Sequence, residues 1–320
     1  MRAADEGDFL PWEPGADDDD NCAMSIRRSA VALAVLALSA WGLAACGSNA
    51  AKGGSTSTST ARSTSTSSST SSSTSSAASS STAPTAAGSV SVYLLREEKV
   101  GAVRRAGDAA APARAAMDAL LRGPSASERA SGLTSAIPSG TRVLGLTIAG
   151  GVATIDLSTE FGSGGGLLSM QERVAQVVYT LTQFSTAQKV SFRMDGKPVS
   201  ALGGEGLILD QPQARSDWEA MTPAILLETP LPGDALSSPV TISGTANTFE
   251  ATFMVTVTDS SGAKVYEHFV TATSGTGTRG TFNERITFSG AKKGAGTLTV
   301  WEASAKDGSH TNVVSIPVTL

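Results

Sequence analysis

From Ser55 to Thr82, 24 of 28 residues are serine or threonine, the exceptions being Ala61, Arg62, Ala77 and Ala78. A segment with so little to bury cannot repay the entropy of ordering its chain, so the composition predicts disorder. Whatever folds must be built from the residues on either side. The whole spacer, Gly47 to Ser89, has 43 residues. As a random coil it would span roughly 35 Å, and fully stretched about 150 Å. Such a spacer reads as a tether, and what stands at its N-terminal end decides what it tethers to.

That end is Met24-Ser-Ile-Arg27-Arg28, then a mostly apolar run from Ser29 to Leu43, then Ala44-Ala45-Cys46. A basic head, an apolar run and small residues before a cut are the layout of a signal peptide. The run is shorter than the ~20 apolar residues a spanning helix needs. Cys46 directly after Leu-Ala-Ala resembles a bacterial lipobox. The resemblance implies cleavage between Ala45 and Cys46 and a diacylglycerol on the Cys46 sulfur. Paired acyl chains such as palmitate hold a protein firmly where one chain is marginal. Residues 24–45 are then the lipoprotein signal peptide and 46–89 the lipidated N-terminus with its tether. The expected location is the extracytoplasmic face of the cell membrane. The competing reading is an ordinary secretory signal in which the cysteine stands by chance.

Residues 1–23 carry eight acids against Arg2. They would oppose the positive charge that orients the signal, so the sequence reads them as an upstream extension ahead of a true start at Met24. The alternative is a real acidic cytoplasmic segment. The formal charge of −5 owes everything to these residues, and from Cys46 onward the chain is neutral. Nucleic acid is therefore not expected as a partner, because its binding rests on cations that neutralise phosphates. The two cysteines, Cys22 and Cys46, lie outside any stretch patterned to fold and form no disulfide framework.

Residues 90–210 read as an α+β unit. Val90–Leu95 alternates as a strand, and Ala109–Arg122 is a helix with Pro112 in its first turn and Gly123-Pro124 at its end. Val143–Ile148 and Val152–Leu157 flank a glycine turn as a hairpin. Ser169-Met-Gln-Glu172 reads as a capping box opening a second helix, with Met170, Val174, Val177, Val178 and Leu181 on its apolar face. Lys189–Met194 is a strand closed by Asp195-Gly196. The order predicts helices covering one face of a sheet.

The segments ALLRGP (119–124), GLTSAIPSGTRVLGLTIAGGVATIDLSTEF (132–161), ERVAQVVYTLTQF (172–184) and KVSFRMDGKPV (189–199) resemble, in order, the GerMN domain of the sporulation and germination family. The resemblance implies an envelope-facing assembly or binding domain, related in fold to ring-building modules and without known enzymatic activity.

Residues 223–320 alternate in short segments: 224–227, 240–243, 252–258, 265–272, 282–288, 297–303 and 313–320. Asp259-Ser-Ser-Gly262 and Lys306-Asp-Gly308 supply turns. Seven strands in about a hundred residues predict an immunoglobulin-like β-sandwich held without a disulfide. Phe249, Phe253, Phe269 and Trp301 read as its core, an exposed Trp301 being suited to sugar stacking. The stretches 226–262 and 298–309 resemble the immunoglobulin-like domain that commonly follows GerMN. Gln211–Thr222, with Pro212 and Pro223, reads as the hinge.

No motif carries a catalytic set. Gly162-Ser-Gly-Gly-Gly166 is followed by Leu167-Leu168 rather than the Lys-Ser/Thr of a phosphate loop, so it reads as a flexible connection. His268 and His310 stand alone, and no metal or cofactor is expected. Asp156 and Glu160, four apart at a strand end, would be the acid/base pair if the chain were a cell-wall glycan hydrolase. The plainer reading has Asp156 capping a turn and Glu160 in solvent. The chain thus reads as a non-catalytic anchored binding or assembly protein, its partner a cell-wall polymer such as peptidoglycan, an envelope protein or its own copies. A small-molecule receptor is a further alternative and would need a deep apolar pocket between the two units.

Overall fold

The structure, a computed structural model, describes residues 87–204 and 206–320. It begins with a hairpin rather than a lone strand. β1 (Ala87–Arg96) pairs antiparallel with β2 (Lys99–Asp108) across the two-residue turn Glu97-Glu98. Both turn residues are left-handed, at φ 49° and 64°, the type I′ geometry that matches strand twist but favours Asn-Gly. Two glutamates hide that turn from a sequence reading. β2 also carries Arg104 and Arg105 at its far end, which is why the strand was not expected.

Helix α1 (Pro112–Leu121) follows with proline at its first position, and Gly123 at φ 70° ends it. A short helix α2 (Ala126–Ala130) carries the capping box of this module: Ser125 and Glu128 bond one another's backbone. β3 (Val143–Ala149) and β4 (Gly151–Leu157) form the expected hairpin over Gly150-Gly151, both left-handed. The long helix α3 is Leu167–Leu181, and β5 (Ala187–Met194) returns parallel to β4. The two-residue strands β6 (Lys197–Pro198), β7 (Ala201–Leu202) and β8 (Leu207–Ile208) close the module.

α3 starts two residues before the expected Ser169, and its N-cap Gly166 makes no side-chain cap bond. The Ser169 hydroxyl is committed instead to Arg173 Nη2 at 2.9 Å. From Arg173 to Leu181 every residue of α3 is buried, because the β1–β2 hairpin and the β3-β4-β5-β6 sheet pack against different flanks. The helix is central, not a cover on one sheet face. Its polar side chains do the work of a strand. Because Arg96 and Lys99 flank a two-residue turn, Ser91, Tyr93 and Leu95 point their backbone groups away from β2. Gln183 exchanges bonds with the Ser91 backbone at 2.8 and 2.7 Å, and the Thr180 hydroxyl accepts from the Tyr93 N–H at 3.2 Å. Gln176 donates to the Tyr93 carbonyl at 3.1 Å and accepts from the Ala136 N–H at 3.0 Å. Leu95 exchanges backbone bonds with Thr134. The edge of β1 is closed from Ser91 to Leu95.

The second module is a sandwich. β9 (Ile225–Thr229), β10 (Val240–Ala246) and β13 (Gly280–Ile286) form one sheet in the order β13-β10-β9. β11 (Thr252–Thr258), β12 (Lys264–Thr271), β14 (Ala295–Ala303) and β15 (His310–Thr319) form the other, ordered β12-β11-β14-β15. Ile225, Leu227, Ile242, Phe253, Val255, Val257, Phe282, Leu298 and Val300 fill the space between. Gly244 is obligatory here: a Cβ would stand 2.0 Å from the Leu226 carbonyl oxygen, where β10 and β9 shift register.

Three of the four aromatics expected in this core are outside it. Phe269 is 59% exposed, since it lies opposite Met254 on the outward face, and Phe249 is 57% exposed beside the left-handed Glu250 and Ala251. Trp301 is buried, but on that outward face, with the His310 ring stacked on it at 3.5 Å. It is not open for a sugar ring to stack upon.

Candidate functional site

Lipidation at Cys46 and cleavage at Ala45 concern positions outside the described residues. Among the described residues, no helix is long and apolar enough to cross a membrane.

The two carboxylates singled out above serve local structure. Asp156 Oδ1 accepts the Gly196 N–H at 3.0 Å, capping the β5–β6 turn. Glu160 sits in a 3₁₀ turn, where hydrogen bonding from Ser158 and its own backbone, then Arg142, holds its carboxyl below the usual range. A glycosidic general acid needs a raised pKa, the opposite direction. The glycine loop is not slack. Arg173, 2% exposed, reaches under it: Nη1 donates to the carbonyls of Phe161 and Ser163 at 2.7 and 3.0 Å, and Nη2 to Gly164 at 3.1 Å. Burial pulls its pKa down, and among the described residues no carboxylate pairs with it. Sequence reasoning passed over this arginine because it sits on the predicted solvent side of α3.

The most elaborate chemistry lies where the modules meet. The stretch read as a hinge holds a 3₁₀ segment, Arg215–Met221, that buries Trp218 and Met221. The core of the first module takes in both of these, together with Leu226 and Leu231 from beyond them. β9 is therefore buried on both faces, Leu226 toward one module and Ile225 and Leu227 toward the other. Apolar contact at this density leaves no free swing.

A polar knot fastens the same seam. Arg215 Nη1 pairs with Glu228 Oε1 at 2.8 Å, Nη2 donates to the Tyr93 hydroxyl and Tyr179 carbonyl at 3.1 and 3.2 Å, and Nε donates to the Thr182 hydroxyl at 2.8 Å. Its guanidinium lies over both rings, 5.2 Å from Tyr93 and 4.7 Å from Tyr179. The Tyr93 hydroxyl donates to Glu228 Oε1, and Tyr179 shares a 2.5 Å hydrogen bond with Thr222. Burial pushes the Tyr93 hydroxyl far above its ordinary range, so it remains a donor. Two bidentate pairs flank the knot. Arg279 grips Glu219 at 2.7 and 3.0 Å, and Arg104 of β2 grips Asp234 at 2.9 and 2.7 Å. Each arginine, as the leading hydrogen-bond partner, holds its carboxylate below the usual range.

Beside this clamp lies a cleft of about 570 Å³, within the ~300–1,000 Å³ usual for ligand sites. Val100, Ala102 and Leu133 of the first module form one wall, and Ile225, Leu227, Val313 and Ile316 of the second form the other. Arg96, Lys99 and Asn312 stand at its lip. Among the described residues, no aromatic side chain lines it. Nothing in the residue pattern signals this cleft, because half of it depends on β2 and the other half on how the modules dock.

An α+β module locked to a seven-stranded sandwich, with a cleft at the seam, defines a two-domain scaffold. Residues 90–200 match the family model described as sporulation and spore germination, and residues 224–309 match the immunoglobulin-like domain of bacterial spore germination. The chain thus joins a GerMN domain to an immunoglobulin-like domain of the spore germination type. No curated protein matches it. Among solved structures it is similar to the tandem GerMN domains of the sporulation protein GerM from Bacillus subtilis, at 18% identity over 63% of this chain and 61% of that one, TM-score 0.36. The first GerMN domain of that protein matches at 26% identity over 40% of this chain and 98% of that one, TM-score 0.35. A putative lipoprotein from Clostridium perfringens matches at 22% identity over 42% and 93%, TM-score 0.32. The match spans about three fifths of the tandem structure.

Proposed function

We propose that this chain is a lipid-anchored protein of the extracytoplasmic face, a germination- and sporulation-type module that binds an envelope partner in the cleft between its two domains. The observation that carries the reading is the clamp. Trp218, Leu226 and the Arg215 knot fix the modules against one another, so the cleft is held open before any ligand arrives. Preorganisation of that kind lowers the ordering cost of binding. The lipobox-like Leu43-Ala-Ala-Cys46 supports the anchor, and the Ser/Thr tract supports a tether that lets the rigid unit reach its partner across the envelope.

Two measurements test it. Cys46→Ala should move the protein from the membrane fraction to the soluble extracytoplasmic fraction; unchanged membrane residence would remove the anchor from the account. Residues 87–320 should co-sediment saturably with isolated wall sacculi if a wall polymer is the partner. Absence of pelleting at every salt concentration assigns the cleft to a protein partner, and failure of both sacculi and envelope proteins to bind would refute the binding role.

A further inference from the structure

We infer that the occupant of the cleft is an extended polypeptide segment of a partner protein, added as a strand along the open edge of β15 and packing over Val100 and Ala102 of β2. This rests on the binding role proposed above and names its ligand class.

With Arg96 and Lys99 flanking a two-residue turn, Leu94 pairs with Gly101 and Val92 with Val103 in the bonded register, so Val100 and Ala102 turn their N–H and C=O away from β1. The matching outward groups of β1 at Ser91, Tyr93 and Leu95 all find partners, as described above. Those of Val100 and Ala102 find none among the described residues, although both residues are nearly buried, at 1% and 7%. β15 repeats the situation. Leu320 and Gly294 exchange backbone bonds, which fixes Ser315, Pro317 and Thr319 as the residues facing away from β14. Gly233 donates to the Pro317 carbonyl at 2.8 Å, and Thr319 bonds the backbone of Asp234 and Leu236 at 2.9 and 2.7 Å. That pairing stops at Pro317. The Ser315 N–H and C=O have no partner among the described residues, and Val313 beyond it is 50% exposed.

Both unpaired stretches line one cleft. An unpaired edge is a template for another strand. Its donors and acceptors recur every second residue, about 6.8 Å apart, which is the repeat of an extended polypeptide. Residues 233–236 already extend β15 in the parallel sense, with Ala235 opposite Thr319. An incoming segment continues that line toward Val313. A glycan has neither the repeat nor, in a cleft without aromatic walls, a ring to stack on.

The test uses the full chain in detergent and a phage-displayed library of random dodecapeptides as probe. The enriched peptide is synthesised and N-methylated one residue at a time. Loss of about ten-fold or more at alternate residues only is expected, since each methyl removes one ladder donor. Ser315→Pro and Ala102→Pro should each weaken binding about ten-fold. Neither position donates to its own ladder, and Pro317 already occupies the neighbouring outward position of β15. Should either variant fail to fold, amide exchange in the wild-type chain decides: the Val100, Ala102 and Ser315 amides should slow on peptide addition. Absence of enrichment, N-methyl effects without alternation, or unchanged exchange overturns the inference. Sacculus binding that survives Ser315→Pro would overturn it while leaving the binding role standing. Concentration-dependent dimers abolished by Ser315→Pro would also overturn it, in favour of a second copy.

Discussion

The Arg215 knot ties Glu228 of β9 to Tyr93, Tyr179 and Thr182 of the first module, and removing it has a calculable effect. Arg215→Ala deletes hydrogen bonds to Glu228, Tyr93, Tyr179 and Thr182 and two ring contacts. It leaves the Glu228 carboxylate, with its side chain only 26% exposed, facing the Tyr93 hydroxyl alone. Breaking one partner of a buried pair costs about 3–5 kcal/mol. Water can reach a carboxylate exposed by a quarter, so a loss near 3 kcal/mol is expected. For a unit of this size that lowers Tm by roughly 6–12 °C. The assay uses residues 87–320 with Trp301→Phe, so that Trp218 fluorescence reports the seam while far-UV dichroism reports the whole. The two curves should coincide in the parent, as one cooperative unit requires, and separate in Arg215→Ala with Trp218 released first. Arg215→Lys should rescue little, because a point charge cannot make the forked contacts or lie flat on two rings. A Tm loss under about 2 °C with coincident curves would refute the claim that the knot fastens the modules.

Gln176→Leu should cost about 3 kcal/mol by urea titration, because it strands the Tyr93 carbonyl and the Ala136 N–H inside the module; a loss below 1 kcal/mol would mean β1 needs no closure. Arg173→Met should release the carbonyls of Phe161, Ser163 and Gly164 and make the 162–166 loop the first site of limited proteolysis. Protection equal to wild type would show that the loop holds itself. Acid should loosen the seam. Glu219 and Asp234 are held below their ordinary values of 4.5 and 3.8, so their contribution is complete above those values and is lost as pH falls through the lower folded-state ones. The Trp218-reported Tm should therefore drop further between pH 7 and pH 3 in the parent than in Glu219→Gln/Asp234→Asn, and equal drops would count against the pairs.

The sandwich was legible because its strands alternate and are separated by turn residues, as at Asp259-Ser-Ser-Gly262. The GerMN helices and the β3–β4 hairpin were legible for the same reason. What escaped has a common cause. The Glu97-Glu98 turn adopts left-handed geometry without the residues that signal it, so β2 went unseen, and half the cleft with it. Arg173, Gln176 and Thr180 look like a solvent face by periodicity. They are buried because tertiary contacts supply each with a partner. Gln211–Thr222 has the prolines of a linker, but Trp218 and Met221 reveal its packing only once a surface is there to receive them. Phe269 differs from Phe253 only in which face its register selects.

The central claim is that partners are held in the cleft between the modules. The most direct measurement places a photo-crosslinking amino acid at Val313, on the cleft wall, in the full-length anchored chain within its own cell envelope. The control position is Leu144 on β3, which is exposed to a similar degree, at 48%, but does not line the cleft. The account predicts a discrete adduct from position 313 and none from 144. Adducts from 144 alone, or from neither position while the protein remains membrane-bound, would contradict it.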